Sequence, residues 1–357
     1  MDYLPIVVLP NADDVITPLV DLLERQDLYF SQYKKEVSTR QRPIVFFTSK
    51  NPSIPKVDLK YTEAMQIGNA KTRWLSLPFH IRRVLKQKDL YPTFIVAGTP
   101  FQPFLIAMLL RLFFPRTKIH VSIHGELQGI KSGRFSGFVK FQFLLRFIRY
   151  ASIIRFVSER QAQAFSFLLH PEQKVVVVPV PIRIVTQNVA VSRGTALAFL
   201  GRIHGERGIE EWVKVASALP ELPLLIMGDG PEIDTMKAHL PKADFRGFLK
   251  PDEVESLWKE VGVLLSTAPF ESYGLAMREA LLHGVPVVSR STAGAKELQE
   301  LAPNLVSLYS NPDDAPNLIQ GFLNNPPSSD LFGKFAQEFL TKQEGELRDL
   351  AFAWQSL

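Results

Sequence analysis

The chain has 357 residues, of which 46% are hydrophobic, and a net charge of +5. This length predicts about two domains with substantial cores. The chain has no cysteine, which excludes a disulfide framework and a thiolate metal site. The longest apolar run, 104–114, is broken by Arg111 and is shorter than the roughly 20 residues that cross a bilayer, and the first ten residues do not resemble a signal peptide. We therefore expect a cytoplasmic protein that is soluble or peripheral on the inner face of the membrane.

The positive charge belongs to the first half of the chain. Residues 1–180 contain 25 Lys and Arg against 13 Asp and Glu, a balance of +12, whereas residues 181–357 contain 16 against 23, a balance of −7. A basic half favours an anionic partner such as a membrane surface, a phosphorylated lipid or nucleic acid. An ordinary solvated basic surface has the same composition, so this alternative stays open.

Apolar runs and helical spacings alternate through the first half, as they do in a parallel α/β domain. The predicted strands are 4–9, 42–49, 93–97, 118–123, 152–157 and 174–178, and the predicted helices are 15–25, 79–88 and 104–114. The last of these helices is apolar on every side, which predicts that it is buried. The loop 10–14 has no glycine, so we do not expect its backbone to approach a phosphate closely.

His124 directly follows the strand that ends at Ile123, and Gly125 and Glu126 come next. The carboxyl ends of parallel strands face the ligand crevice of an open α/β sheet. His124 is therefore a candidate site residue, the alternative being a structural histidine, and Glu126 is placed where it could contact an acceptor.

A basic and aromatic segment, Gly129–Tyr150, comes after this loop. Its cations are Lys131, Arg134, Lys140, Arg146 and Arg149, and its apolar residues recur at helical spacing. The pattern predicts an amphipathic helix that either contacts an anionic membrane surface or buries one face in the domain core, with its cations extending to solvent.

The second half starts after a connection, 179–194, that begins with prolines. The predicted strands are 196–200, 223–227, 261–265 and 285–288, and the predicted helices are 209–218, 275–283 and 330–357. Polar turns follow the strands. They are Gly201-Arg202, Glu206-Arg207-Gly208, Gly228-Asp229-Gly230-Pro231 and Phe245-Arg246-Gly247-Phe248.

The stretch 264–289 has the order strand, loop, helix, glycine, strand, which is a βαβ unit of a parallel sheet. Gly284 is placed to end the helix in a left-handed conformation. Glu271 lies in the loop at the carboxyl end of the first strand, and Glu279 lies about two turns along the same helix face. The carboxylates suit sugar hydroxyls, and the backbone N–H groups of Tyr273, Gly274 and Leu275 at the helix N-terminus suit phosphate.

This stretch, written P-x-E-S-Y-G-L-x-x-x-E-A-L-x-x-G-V-P-V-V, resembles the donor-site motif of the retaining GT-B glycosyltransferases of family 4, or glycosyl transferases group 1. The resemblance covers roughly residues 90–300. It implies an α/β fold of the GT-B class, with two Rossmann-like domains that face each other across a cleft. The domains would be an acceptor-binding domain, 1–182, a nucleotide-sugar-binding domain, 195–329, and a C-terminal helix, 330–357, that crosses back to the first domain.

The resemblance also implies roles for individual residues. Arg202 and Arg207 would grip the donor diphosphate, although Arg207 stands where Lys is usual in the family. Glu271 would hold sugar hydroxyls and stabilise the transition state, Glu279 would hold the ribose, and His124 would lie beside the donor sugar and leaving group. The remaining donor-binding residues are Gly201, Gly228, Gly247, Phe248, Tyr273, Gly274 and Leu275.

The implied activity is transfer of a sugar, with retention of configuration and without a metal or other cofactor, to a hydroxyl of a glycan or lipid-linked glycan in polysaccharide or glycolipid synthesis. We expect a UDP-sugar donor in preference to a GDP-sugar, an anionic membrane surface as a further partner, and no nucleic acid, because no recognition motif supports one. The alternatives are a nucleotide-sugar epimerase and a non-catalytic GT-B partner subunit.

Overall fold

The structure is a computed structural model that describes residues 3–9, 23–24, 26–31, 42–47, 58–67, 73–88, 91–98, 102–123, 134–182 and 194–355. The chain forms two compact units, Met1–Pro181 with Gln343–Leu357, and Ile182–Lys342. Most of the predicted helix 15–25 lies outside the described residues. Among the helices that the structure describes, none is long and apolar enough to cross a membrane.

The first unit is built on a parallel sheet. Over the described residues it has seven strands, in the order β3-β2-β1-β4-β5-β6-β7. They are β1 Tyr3–Leu9, β2 Ile44–Phe47, β3 Glu63–Gln66, β4 Tyr91–Gly98, β5 Ile119–Ile123, β6 Ile153–Phe156 and β7 Lys174–Val177. The central strands are buried on both faces, which explains why they are continuous apolar runs in the sequence. The order reverses between β1 and β4, as in a Rossmann-type sheet.

Four helices of this unit are α1 Leu77–Lys88, α2 Gln102–Phe113, α3 Arg134–Phe147 and α4 Glu159–Phe165. The first three pack on one hydrophobic cluster, to which they contribute Ile81, Leu110 and Leu144. The prediction that the helix 104–114 is buried on every side was wrong, because Leu112 is 70% exposed. When every side of a helix is apolar, the sequence pattern does not show which of its residues face solvent.

His120 is a buried polar residue of this unit. Its Nδ1 accepts a hydrogen bond of 3.0 Å from Trp354 Nε1, and Trp354 also stacks on Phe30 with ring centroids 4.7 Å apart. Burial, reinforced by the charge of Arg155, lowers the pKa of His120 to about 3, so the imidazole is neutral. Residues near the C-terminus are therefore part of the core of the first unit.

The second unit has a second parallel sheet, which has six strands over the described residues, in the order β10-β9-β8-β11-β12-β13. The strands are β8 Ala196–Leu200, β9 Leu224–Met227, β10 Asp244–Gly247, β11 Val261–Ser266, β12 Val287–Arg290 and β13 Val306–Tyr309. The helices are α5 Ile209–Ser217, α6 Ile233–His239, α7 Pro251–Leu257, α8 Leu275–Leu282, α9 Ala293–Leu301, α10 Ala315–Asn324 and α11 Ser329–Gln355, the last of which continues into the first unit. The order reverses between β8 and β11.

The predicted glycine stop of α8 is confirmed. Gly284 has φ of +74°, and the turn is closed by hydrogen bonds from Gly284 N to Leu281 O (3.1 Å) and from Val285 N to Ala280 O (2.9 Å). These bonds also explain why β12 begins at Val287 and not at Val285 as predicted, since the N–H of Val285 belongs to the helix cap.

Candidate functional site

Two loops of the second unit meet where its strand order reverses. The loop after β8 contains residues 201–208, and the loop after β11 contains residues 267–274. Both follow the carboxyl ends of neighbouring parallel strands. A switch point of this kind is where open α/β sheets bind their ligands, because the two connections diverge to opposite faces and leave a crevice.

Arg207 and Glu271, one from each loop, are in direct contact. Arg207 Nη1 donates to Glu271 Oε2 at 2.7 Å, and the two side chains are 35% and 19% exposed, respectively. Glu271 Oε1 accepts from Gly274 N at 3.0 Å and from Tyr273 N at 3.4 Å. The structure thus brings together a cation, a carboxylate and the N-terminus of α8, all of which the sequence had indicated separately.

The contact modifies the prediction for the backbone N–H groups. We expected those of Tyr273, Gly274 and Leu275 to meet a phosphate, but the first two donate to the Glu271 carboxylate. A carboxylate at a helix N-terminus is stabilised by the same partial positive charge that attracts phosphate. Glu271 is therefore held by three donors before any substrate is considered.

The two loops are joined by hydrogen bonds from a side chain to the backbone. Thr267 Oγ1 lies within hydrogen-bonding distance of two carbonyl oxygens and donates to Arg207 O (2.9 Å) or Gly208 O (3.0 Å). Gly208 has φ of +68°, and a Cβ atom there would overlap the carbonyl of Thr267. Glycine is required at this position both for the left-handed backbone and for the close approach, which explains the Arg-Gly pair in the sequence.

Backbone hydrogen bonds connect the turns that follow the neighbouring strands. Gly201 N donates to Met227 O at 3.0 Å, and Gly228 N donates to Gly247 O at 2.9 Å. A Cβ atom on Gly228 would overlap the carbonyl of Gly201. The predicted donor-binding glycines 201, 228 and 247 thus lie in three connected turns at the carboxyl ends of β8, β9 and β10.

The remaining predicted residues are on these loops or on α8. Arg202 is half-buried after β8, Phe248 is 56% exposed after β10, and Glu279 is half-buried on α8, which begins at Leu275. His124 lies outside the described residues, so its role stays a prediction. In the part of the chain that the structure describes, no group of three or more His, Cys, Asp or Glu is placed to hold a metal ion.

Arg278 is a residue that the sequence analysis missed. Its side chain is 1% exposed, its Cζ lies 3.7 Å from the centroid of the Tyr273 ring, and its Nη2 lies 3.7 Å from Glu297 Oε1 on α9. Gly294, at the start of α9, donates from its N to Glu271 O at 2.7 Å. The backbone that carries Glu271 is therefore supported by α9 as well as by α8.

Comparisons with known proteins find a sequence resemblance in the second unit. Residues 184–339 match the family described as Glycosyl transferases group 1. A GDP-mannose-dependent alpha-mannosyltransferase of Corynebacterium glutamicum is 29% identical over 102 residues, which are 29% of this chain and 24% of that protein. Sulfoquinovosyl transferase of Arabidopsis thaliana is 27% identical over 152 residues, which are 41% of this chain and 30% of that protein. The chain thus spans about a quarter to a third of the length of these relatives.

Solved structures match over the whole chain. Sucrose-phosphate synthase from Thermosynechococcus elongatus has a TM-score of 0.79 at 13% identity, covering 100% of this chain and 99% of that one. An Anabaena protein solved with UDP and glucose has a TM-score of 0.72 at 14% identity, covering 99% of both chains. The chain has the α/β GT-B fold, with two Rossmann-like units, and its second unit resembles the glycosyl transferases group 1 in sequence.

Proposed function

We propose that the chain is a retaining glycosyltransferase of family 4, which moves a sugar from a nucleoside-diphosphate donor to a hydroxyl of a glycan or lipid-linked glycan in polysaccharide or glycolipid synthesis. The observation that carries the proposal is the contact of Arg207 with Glu271 at the switch point of the second unit. The family match covers the same unit. The donor would bind there, and the acceptor would bind the first unit.

The proposed roles follow from charge and position. Arg207 and Arg202, on the loop after β8, would bind the diphosphate and stabilise the charge that develops on it as the sugar leaves. Glu271 would accept hydrogen bonds from sugar hydroxyls, and its negative charge would stabilise a cation-like sugar. Glu279, farther along α8, would bind the ribose, and the backbone of the turn Phe245–Phe248 would lie against the base.

Proton transfer in this reaction needs a base near the acceptor. Glu271 is occupied by Arg207 and by the α8 backbone, which makes it a stabilising charge in preference to a nucleophile. We propose that the sugar–phosphate bond breaks and the bond to the acceptor oxygen forms on the same face of the sugar. A phosphate oxygen of the leaving diphosphate takes the hydroxyl proton, so the configuration is retained and no metal is required. His124 would contact the donor sugar beside the leaving group.

The donor is proposed to be a UDP-sugar, with GDP-mannose as the competing candidate. The Anabaena structure was solved with UDP and glucose, whereas the Corynebacterium relative is named for its dependence on GDP-mannose. Arg202 and Arg207 would contact the part that is common to both donors, so they do not discriminate between the bases.

A ligand panel with an activity assay tests the proposal. A donor at about 100 times its dissociation constant should stabilise the protein by about 2.7 kcal/mol, so UDP, GDP, ADP and TDP sugars can be ranked by thermal shift. Arg207→Ala should remove the shift, whereas Lys214→Ala, which breaks the 2.7 Å ion pair of Lys214 with Asp313 on the exposed surface of the same unit, should keep it.

The product then decides the reaction. NMR of the transferred sugar should show the anomeric configuration of the donor. An inverted product would refute the retaining mechanism, and epimerised donor formed without acceptor would indicate an epimerase. Binding of several donors without any turnover would indicate a non-catalytic partner subunit.

A further inference from the structure

Helices α1, α2 and α3 form one continuous outer face of the first unit. The rings of Phe79 and Phe113 lie 5.8 Å apart, which joins α1 to α2. Arg111 of α2 donates to Tyr150 O at 3.4 Å and to Ser152 Oγ at 3.3 Å, which joins α2 to the segment that follows α3. The three helices cover a common hydrophobic cluster, so their other sides point away from the sheet.

The charge of this face has one sign. The three helices contain eight Lys and Arg and no Asp or Glu. Among the side chains that the structure describes, the exposed cations of the face are Arg82, Arg83, Lys86 and Arg146 on the helices and Arg149 just after α3. This composition is complementary to a densely anionic surface and unfavourable for a cationic one.

Large apolar side chains are exposed among these cations. They are Phe79 at 62%, Leu112 at 70%, Phe138 at 60%, Phe143 at 40% and Leu145 at 40%. Leu144 and Ile148 of the same segment are buried in the core, so the exposed apolar residues are additional to those that pack in the core. The alternative left open for Gly129–Tyr150 is thereby answered in part, because this segment packs one side in the core and presents aromatic rings on the other.

We infer that the face formed by α1, α2 and α3 binds an anionic membrane surface. Cations at the level of the headgroups, with aromatic and aliphatic side chains between them, suit the bilayer interface, where charge attracts the protein and apolar groups enter the acyl boundary. The proposal deepens the proposed function because a lipid-linked acceptor would be presented on that surface, but the face itself is argued from the first unit alone.

The test is binding to vesicles of phosphatidylcholine with and without phosphatidylglycerol. Wild-type protein should co-sediment with the anionic vesicles at low salt and dissociate as salt rises from about 0.05 M to about 0.5 M. Arg83→Gln, Arg146→Gln and Arg149→Gln together should lower the partition coefficient roughly 100-fold, since each cation contributes about a factor of five.

A matched control separates this face from net charge. Lys242→Gln, Lys259→Gln and Lys334→Gln remove three exposed cations from the second unit, and this variant should bind vesicles like wild type. Phe79→Ser with Phe138→Ser should weaken binding roughly tenfold with the charge unchanged. Thermal unfolding checks that each variant is folded, which is expected because the substituted side chains are exposed.

The outcomes decide the proposal. Failure of wild-type protein to bind anionic vesicles, or equal loss in both charge variants, would overturn it. Binding to heparin or duplex RNA that vesicles do not compete for would assign the face to a polyanion. Donor binding is measured by thermal shift without lipid. A failure of vesicle binding therefore leaves the glycosyltransferase proposal intact, and a failure of donor binding leaves the membrane result intact.

Discussion

Glu271→Gln should separate nucleotide binding from sugar transfer. The carboxylate competes with a donor diphosphate for Arg207, since Arg207 Nη1 lies 2.7 Å from Glu271 Oε2. Gln keeps the size and the acceptor oxygen for the backbone of α8 but loses the charge. Nucleoside diphosphate should therefore bind the variant at least as tightly as wild type.

The magnitude follows from the exposure of the pair. With 35% of Arg207 and 19% of Glu271 exposed, solvent screens the interaction, and such a pair contributes about 1 kcal/mol. Its removal should lower the dissociation constant of the diphosphate by up to about fivefold, since about 1.4 kcal/mol corresponds to a factor of ten. Turnover should fall by about 100- to 1,000-fold, because a charge that stabilises the transition state is lost.

Calorimetry with UDP and GDP measures the first effect, and initial rates with the donor selected by the panel measure the second. Asp313→Asn is the matched control, because it removes the carboxylate from another 2.7 Å ion pair of the same unit, with side chains 62% and 66% exposed. Both its affinity and its turnover should equal those of wild type. If Glu271→Gln loses diphosphate affinity and turnover in parallel, or keeps its turnover, the role given to Glu271 is wrong.

The remaining predictions concern three other positions. Arg202→Ala should weaken the binding of nucleoside diphosphate by about 1.5–3 kcal/mol and leave the binding of free nucleoside nearly unchanged. Equal losses of both affinities in calorimetry would contradict the diphosphate role. Gly294→Ala would place a Cβ 2.6 Å from Tyr273 N, which should lower the free energy of unfolding by about 1–3 kcal/mol. Gly321→Ala on α10 meets no atom within 4 Å and should stabilise the protein. Equal denaturation midpoints for the two variants would refute this. Because burial lowers the pKa of His120 to about 3 and the unfolded value is about 6.5, unfolding binds a proton below pH 6.5, so stability should fall with falling pH by up to about 1.4 kcal/mol per pH unit. His120→Asn, which keeps an acceptor for the indole of the C-terminal helix, should remove that part of the pH dependence seen in denaturant titrations of wild type.

The sequence predicted the buried strands of both sheets and the unit around Glu271 because their patterns are local. Strand β11 is a continuous apolar run. Gly284 comes directly after residues at helical spacing, so its position predicts the end of helix α8. Strands β3, β10 and β13 were missed as strands because they are edge strands that are only partly buried, and such strands have no long apolar run to identify them.

Contacts between distant positions could not be predicted from spacing. Arg207 and Glu271 are 64 residues apart, and their pairing depends on the strand order that places β8 beside β11. Arg278 was missed because a cation in a helix is usually solvated, and only the packing of α8 against Tyr273 and Glu297 shows that this one is buried.

Helix α11 has a consequence for the order in which the two units can fold during synthesis. It runs from Ser329 to Gln355, with Phe332 and Phe335 in a core of the second unit and Leu350 and Trp354 in a core of the first. The second unit is continuous, 182–342, whereas the first is assembled from both ends of the chain. On the ribosome, the first unit therefore completes its core only after Leu350 and Trp354 have emerged, when the second unit can already have folded. A premature stop near the C-terminus would damage the N-terminal unit most.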